Sequence, residues 1–369
     1  MAIYEYSKRG KIHYFYSFEV KDFHGKRKTI KQKGFTGKRE ARAAEAEARV
    51  EWEKGLFVDP STITYAEYLK SWITNKHNIS PQTRETNEGQ IKNHINPVIG
   101  NVLLQKLTTQ HIEILITSLK NKSLSSGTVK KIFNLVNTSL KSAVKKELIV
   151  KNPIDLMDVG SKPAVKKGRV DFWTVDEVKD FLDGLEHRHR IIFVLAIYTG
   201  MRRGEILGLR WRDIDLENGQ IRISQILAFK GEIKDGAKTV SGNRSISIPP
   251  IVVSELRKHR STIIKEKWDA QEKYKDHDLV VCRKNGLPVS WSNFHKFWLR
   301  ILSKSNVRPI RFHDLRHTCA SLLLSGGIHP KIVQELLGHS SIKITLDTYS
   351  HMMPNIQADA VKTLEKMLN

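Results

Sequence analysis

Cysteine is nearly absent: Cys282 and Cys319 are the only two in 369 residues. Two thiols cannot build a disulfide framework or a cysteine-rich zinc site, so a reducing cytoplasm is the expected compartment. Long apolar runs are also missing. The longest, Ile191 to Tyr198, falls far short of the ~20 residues that cross a bilayer. The opening MAIYEYSKRGKIHYFYSF alternates and carries charge, so it lacks the basic stretch and apolar block of a secretory leader. No phosphate-binding glycine loop, zinc motif or internal repeat is present. Acidic residues are few beside basic ones, 39 Asp+Glu against 62 Lys+Arg, for a formal charge of +23.

That charge is what the sequence does have, and a polyanion partner accounts for it through phosphate neutralisation and counterion release. The length suggests two or three domains, each able to bury a core. Ile12, Tyr14, Tyr16, Phe18 and Val20 alternate with polar positions, a turn follows at 22–25, and Arg27 to Lys33 forms a second run. The pattern predicts a hairpin, with Ile3 to Tyr6 as a third strand. Ala41, Ala44, Ala48 and Trp52 recur at helical spacing, predicting a helix behind the sheet. This segment, residues 1–56, is a small α+β domain, a three-stranded sheet plus helix. Its cations Lys26, Arg27, Lys28, Lys31 and Lys33 are candidate DNA contacts.

A linker at 55–61 precedes an all-α region, residues 62–158. Tyr68, Leu69, Trp72 and Ile73 make one stripe, Ser80-Pro81 is a helix start, and Thr109 to Leu119 is a further helix. Val129, Ile132, Phe133, Val136, Leu140 and Val144 form the longest stripe. Lys130, Lys131, Lys141 and Lys145 lie mostly off that stripe and are candidate backbone contacts. The loop at 158–169 and the capping box Thr174 to Glu177 open the last region, residues 170–369. Helices there mix with short strands around Ile221 to Leu227 and Arg244 to Ile248, a mainly-α α+β pattern.

Five segments of that region stand out: Thr199-Gly-Met-Arg202-Arg-Gly-Glu205, Lys238-Thr239, His313-Asp-Leu-Arg316-His-Thr318, Leu337-Gly-His339 and Thr348-Tyr349. Together they resemble the tyrosine recombinase (phage integrase) family, whose fingerprint is TGxR, a hairpin lysine, HxLR, LGH and a tyrosine about ten positions on. The resemblance implies an arm-binding domain, a helical core-binding domain and a catalytic domain. It implies an integrase of a prophage or integrative conjugative element that cuts and rejoins DNA through a 3′-phosphotyrosyl intermediate at Tyr349. No cofactor is implied. The implied partners are double-stranded attachment sites of core and arm types, a tetramer on DNA, an excision factor and a host DNA-bending protein.

Chemistry supports several roles independently. Displacement at a phosphodiester needs an oxygen nucleophile, charge compensation on the non-bridging oxygens and a proton for the leaving oxygen. Arg202 and Arg316 suit the second need because a guanidinium is always charged and grips phosphate bidentately. Arg203 and Arg210 read as ordinary surface arginines. His313 and Arg316 are three apart and share a helix face. The resemblance gives His313 a part in the nucleophile's proton transfer, His339 a hydrogen bond to phosphate and Lys238 the general acid, and Glu205 orients Arg202. Lys230 and Lys234 read as hairpin surface. His317, also in the motif, is taken as support, because the position next to Arg316 faces away from it. His187, His189 and His329 are set aside among 15 histidines, and Asp213 and Asp215 read as turn residues, not metal ligands.

Two other functions compete. One is a Xer-like resolvase, which usually lacks the basic N-terminal sheet. The other is an inactive DNA-binding regulator of the same fold, against which the complete set of six residues weighs. A helix is expected from Pro354, with Ile356, Ala360, Val361, Leu364 and Met367 along one side.

Overall fold

The computed structural model describes residues 3–8, 10–21, 27–53, 61–165, 170–228, 231–235, 244–289 and 291–350, with 361, 364–365 and 367–368 beyond them. The chain divides into two compact units, Met1–Lys167 and Gly168–Asn369.

In the first unit, β1 (Ile3–Lys8), β2 (Lys11–Lys21) and β3 (Arg27–Phe35) make an antiparallel sheet in that order. Helix α1 (Lys38–Glu53) covers one face, where Tyr16, Phe18 and Ile30 pack with Ala44, Ala48 and Trp52. The alanines allow a close approach of helix to sheet. Glu45 is fully buried in this layer and is paired by Arg49 at 2.9 Å, whose guanidinium also lies 4.2 Å over the Phe18 ring. The pairing of β2 with β3 shifts register between Tyr14 and Phe15. The extra residue, Gly34, is in β3, so the alternation of β2 runs on unbroken. Ile12, expected on the apolar side from simple alternation, is instead 60% exposed.

The rest of this unit is helical: α2 (Tyr65–Thr74), α3 (Pro81–Gln90), a π-turn Ile91–Ile95, α4 (Asn96–Ile99), α5 (Thr109–Asn121) and α6 (Ser126–Lys145). Helix α2 starts on a capping box in which the Thr64 amide donates to Glu67 at 2.8 Å and the Glu67 amide to Thr64 Oγ1 at 3.3 Å. Ser80 caps α3, with Pro81 in its first turn. The α6 stripe Val129, Ile132, Phe133, Val136 and Leu140 shares one core with Leu69, Trp72, Ile112 and Ile116. Burial of each such side chain contributes ~1.5–3 kcal/mol, so packing rather than intrinsic propensity holds these helices. Two buried bonds fix α2 on α6: Tyr65 Oη to Ser139 Oγ at 2.7 Å, and Tyr68 Oη donating to the Ser139 carbonyl at 2.8 Å.

The second unit begins with α7 (Val175–Asp183), α8 (Arg190–Thr199) and α9 (Arg203–Gly208). Strands β4 (Ile214–Asp215), β5 (Gln220–Ile223), β6 (Gln225–Leu227), β7 (Ile233–Asp235) and β8 (Arg244–Ser247) follow. Then come α10 (Pro250–Ala270), α11 (Trp291–Leu302), α12 (Asp314–Ser325), α13 (Pro330–Leu337) and α14 (Ile342–Tyr349). Helix α8, IIFVLAI from Ile191 to Ile197, is buried on all sides, as an apolar helix must be. Trp173, Phe181, Trp298 and Phe312 surround it in the main core.

The run from Ile221 to Leu227, where short strands were expected, holds two. Strands β4, β5 and β8 form one sheet, while β6 pairs with β7 in another. Ser224 sits at the break, its hydroxyl donating to Asp213 at 2.7 Å and accepting from Arg210 at 2.8 Å. Arg210 is therefore not a surface arginine: its Nε donates to Asp213 at 2.6 Å and its side chain is 16% exposed. Arg203 is half-buried, its guanidinium 5.5 Å from the Phe294 ring centre. The helix expected from Pro354 lies mostly outside the described residues; Val361, Leu364 and Met367 are helical and exposed.

Candidate active site

The site is assembled at five helix ends of the second unit. Helix α8 stops at Gly200, whose φ of 61° is the left-handed conformation glycine tolerates best. A side chain there would also collide with Leu337, since a Cβ would lie 2.5 Å from its Cδ2. The chain then turns so that Arg202 occupies the N-cap of α9. Glu205, 3% exposed, receives the Arg202 amide at 2.9 Å on one oxygen and Arg202 Nη1 at 2.9 Å on the other. Arg202 Nη2 donates to the Gly338 carbonyl at 3.0 Å.

Helix α12 carries the second arginine. Asp314 is buried and accepts the Arg311 amide at 2.8 Å and its guanidinium at 2.7 Å, which sets the helix start. Thr318 Oγ1 accepts from the Trp173 amide at 3.0 Å, anchoring the first turn to the core. Arg316 is 3% exposed and donates from Nη1 to the Gly200 carbonyl at 2.8 Å. Its Nη2 is buried and has no hydrogen-bond partner. Buried donors are rarely left so, and one aimed into a cation-rich site is a place for a substrate oxygen.

Helix α13 ends at Gly338, again left-handed with φ 65°. His339 follows, held by its amide on Gln334 O at 3.1 Å and by Nδ1 against Thr345 Oγ1 at 2.9 Å. Tyr349, the last residue of α14, is 1% exposed and packs with Ala320, Leu324, Val333 and Leu337. Its hydroxyl is 2.5 Å from His317 Nδ1. His317 also contacts His313 edge to face, with ring centres 5.2 Å apart. His317 thus meets the tyrosine, where one-residue spacing from Arg316 had suggested that it faces away; the two side chains of a helix can diverge and still border one cavity.

The electrostatics favour an anion. Arg202 and Arg244 both donate to one buried carboxylate, Glu205, Arg244 at 3.0 and 3.2 Å, and the Arg316 guanidinium lies near enough to feel all three charges. Burial alone would raise the Glu205 pKa, but its bonds to Arg244 and Arg202 hold it lowered, so it stays ionised. Burial, then Arg202 and Arg244, push Arg316 down to about 9, still charged at neutral pH. Burial and the nearby arginines push His339 to about 3. His313 keeps an exposed edge; burial of the remainder, then His317 and Arg316, lower its pKa, and solvent tempers that depression. Burial raises the Tyr349 phenol, with Arg316 opposing.

The structure thus brings together Arg202, Glu205, His313, Arg316, His339 and Tyr349. Lys238 lies outside the described residues, as do Lys26 and Lys230. Lys234 sits on β7, exposed, 3.4 Å from Glu232. Three participants were missed. His317 was misjudged from its spacing, Thr345 has no motif, and Arg244 opens β8 with Nε donating to the Leu336 carbonyl at 2.7 Å. Only the proximity of Arg244 to the KT segment, in GAKTVSGNRSISIP, hinted at it. Among the described residues no cluster of three His, Cys, Asp or Glu could hold a metal ion. Asp215 caps its own turn through the Glu217 and Asn218 amides.

The candidate DNA contacts divide. Lys31 and Lys33 lie on the open face of the N-terminal sheet, over Phe15 at 4.3 Å and over Tyr6 at 5.7 Å, and Arg27 is exposed beside them. Lys28 is instead on the helix-covered side, 5.8 Å from the Trp52 ring centre. On α6, Lys131, Lys141 and Lys145 are exposed, while Lys130 is half-buried over Phe133 at 5.2 Å.

Known proteins resemble the chain along its whole length. Residues 171–355 match the phage integrase family, 64–120 the SAM-like N-terminal domain of phage integrases, and 2–51 an arm DNA-binding domain. A protein of Caldanaerobacter subterraneus subsp. tengcongensis described as tyrosine recombinase XerC-like is 30% identical over 98% of each chain. The ICEBs1 integrase of Bacillus subtilis is 25% identical over 90% of each. The Tn1549 transposon integrase, solved with a circular intermediate DNA, is similar with a TM-score of 0.70 at 21% identity, over 82% of this chain and 99% of that one.

Proposed function

The chain belongs to the phage integrase family of tyrosine recombinases, and from that premise we propose that it integrates a mobile element by cutting and rejoining DNA through a 3′-phosphotyrosyl bond on Tyr349. The observation that carries this reading is the unpartnered, buried Nη2 of Arg316 in a site where Arg202 and Arg244 already take up the one buried carboxylate, Glu205. A phosphodiester supplies the missing acceptor and the missing negative charge together.

In this reading Arg202 and Arg316 hold the non-bridging oxygens. Glu205 keeps Arg202 extended, and Arg202 in turn fixes the carbonyl of the Gly338 turn that precedes His339. With Thr345 donating to Nδ1, His339 carries its proton on Nε2 and donates that to the phosphate. Tyr349 Oη attacks phosphorus, the P–O5′ bond breaks, and Lys238 gives the leaving oxygen its proton. Lysine is a poor acid near its ordinary ~10.4, so the assignment requires a pocket that lowers it. The phosphotyrosyl bond conserves the energy of the one broken, so rejoining needs neither nucleotide nor metal, as in type IB topoisomerases. A labelled crossover site with a nick near the cleavage position tests the reading. Covalent protein–DNA adduct is expected to accumulate equally with and without EDTA, and loss of adduct in EDTA refutes it.

The domain assignment is part of the proposal: residues 1–56 for arm-type sites, 62–158 for the core site and 170–369 for catalysis. What supports the first is the open sheet face, with Arg27, Lys31 and Lys33 among Tyr4, Tyr6 and Phe15. That basic sheet also favours an integrase over a Xer-like resolvase. Deleting residues 1–56 is expected to abolish binding to element-end DNA outside the crossover site and to leave adduct formation on the crossover site intact. Gel shifts on the two DNA types check this, and loss of both activities would count against the division. Recombination further implies four protomers on DNA, with an excision factor and a DNA-bending protein as candidate accessory partners. No helix among the described residues is long and apolar enough to cross a membrane.

A further inference from the structure

His317 is the side chain in hydrogen-bond contact with the Tyr349 hydroxyl, through Nδ1 at 2.5 Å, and the two rings are 5.6 Å apart between centres. His313, to which the family resemblance gives a share in this proton transfer, contacts the His317 ring. We propose that His317 accepts the Tyr349 phenolic proton as the nucleophile attacks. The inference rests on the reading of Tyr349 as nucleophile and adds the destination of its proton.

The geometry fits a base. With the phenol donating to Nδ1, the neutral ring carries its proton on Nε2 and offers the Nδ1 lone pair to the O–H. A neutral imidazole is required, and burial, with Arg311 and Arg316 nearby, lowers the His317 pKa, while Asp314 acts in the opposite direction. The charged and titratable groups around it are Arg311, His313, Asp314, Arg316, His339 and Tyr349. A bound phosphodiester adds a negative charge to this set, which favours the imidazolium once it forms. In the step, the Tyr349 O–H breaks as the Nδ1–H forms, Oη bonds to phosphorus and the P–O5′ bond breaks. The O5′ proton comes from the separate acid, Lys238. Religation runs the same transfers backwards, returning the proton from His317 to Tyr349.

The test compares His317→Asn, which keeps a polar atom near the Nδ1 position and cannot take a proton, with wild type in single-turnover cleavage. Two nicked substrates are used, one normal and one with sulfur in place of the bridging O5′, whose departure needs no proton. His317→Asn is expected to bind the crossover site like wild type and to cleave both substrates roughly 100-fold more slowly, within the range of general-base effects. Its rate should lose the fall at acid pH expected of wild type, and imidazole should restore part of the rate to His317→Ala. Cleavage within a few-fold of wild type with an unchanged pH profile overturns the proposal. So does a defect cured by the sulfur substrate, which would put His317 on the leaving-group side. Should His317→Asn fail to bind DNA, the His317→Ala protein with and without imidazole decides alone, and no rescue overturns the proposal. If wild-type adduct forms at a residue other than Tyr349, the reading of the nucleophile fails; if it forms at Tyr349 and His317 is indifferent, only the proton assignment fails.

Discussion

Tyr349→Phe is expected to form no covalent adduct and to bind crossover-site DNA with unchanged affinity. The substitution keeps the ring that fills the space among Ala320, Leu324, Val333 and Leu337 and removes only the oxygen. The structural loss is the bond to His317. A typical intramolecular hydrogen bond contributes about 0.5–1.5 kcal/mol, too little to unfold a domain with this core. The chemical loss is total, because the carbon framework offers no other oxygen at that position. Suicide-substrate trapping and a gel shift on the same DNA separate the two effects. Adduct persisting in the Phe variant would assign the nucleophile elsewhere.

The second large effect is expected at the arginine pair. Arg316→Ala and Arg202→Ala each remove a charged donor to the phosphoryl oxygens, and loss of one such preorganised donor costs about 2.7–4 kcal/mol, or roughly 10²–10³ in rate. The two should differ in what else they disturb. Arg316 is buried and ties α12 to the end of α8 through Gly200, so its removal also lowers stability. Arg202 is 41% exposed along its side chain, and Glu205 keeps Arg244 when it is gone. Arg202→Ala is therefore expected to melt near wild type while cleaving slowly, and Arg316→Ala to show both defects. Single-turnover rates at saturating DNA and thermal unfolding measure the two quantities independently. Wild-type rates in either variant would refute the clamp.

The parts of the site that a reader of the sequence reaches are those set by local rules. The α9 capping arrangement joins Arg202 to Glu205 across three residues, and Arg311 meets Asp314 across three more. Glycine at 200 and 338 marks helix ends because the left-handed turn is strained for other residues. The alternation in β2 located the sheet, but β3 ends at Phe35 opposite Tyr14, so Ile12 lies beyond the last β2–β3 pair and is exposed. Short strands were legible around Ile221 to Leu227, but not the division at Ser224, whose hydroxyl meets Arg210 and Asp213 from an earlier turn. Lys28 parted from Lys31 and Lys33 because adjacent strand positions face opposite ways.

By itself the sequence determined the family, the order of the chemistry-bearing residues and the basic charge that calls for a polyanion, since these depend on residue type and short spacing. Tertiary structure alone decided who touches whom across distance: Arg316 on Gly200, Arg202 on Gly338, Arg244 on Glu205 and His317 on Tyr349. Those contacts follow from how α8, α9, β8, α12, α13 and α14 pack on one another. A helix face names a direction, and only the packed neighbours say what lies along it.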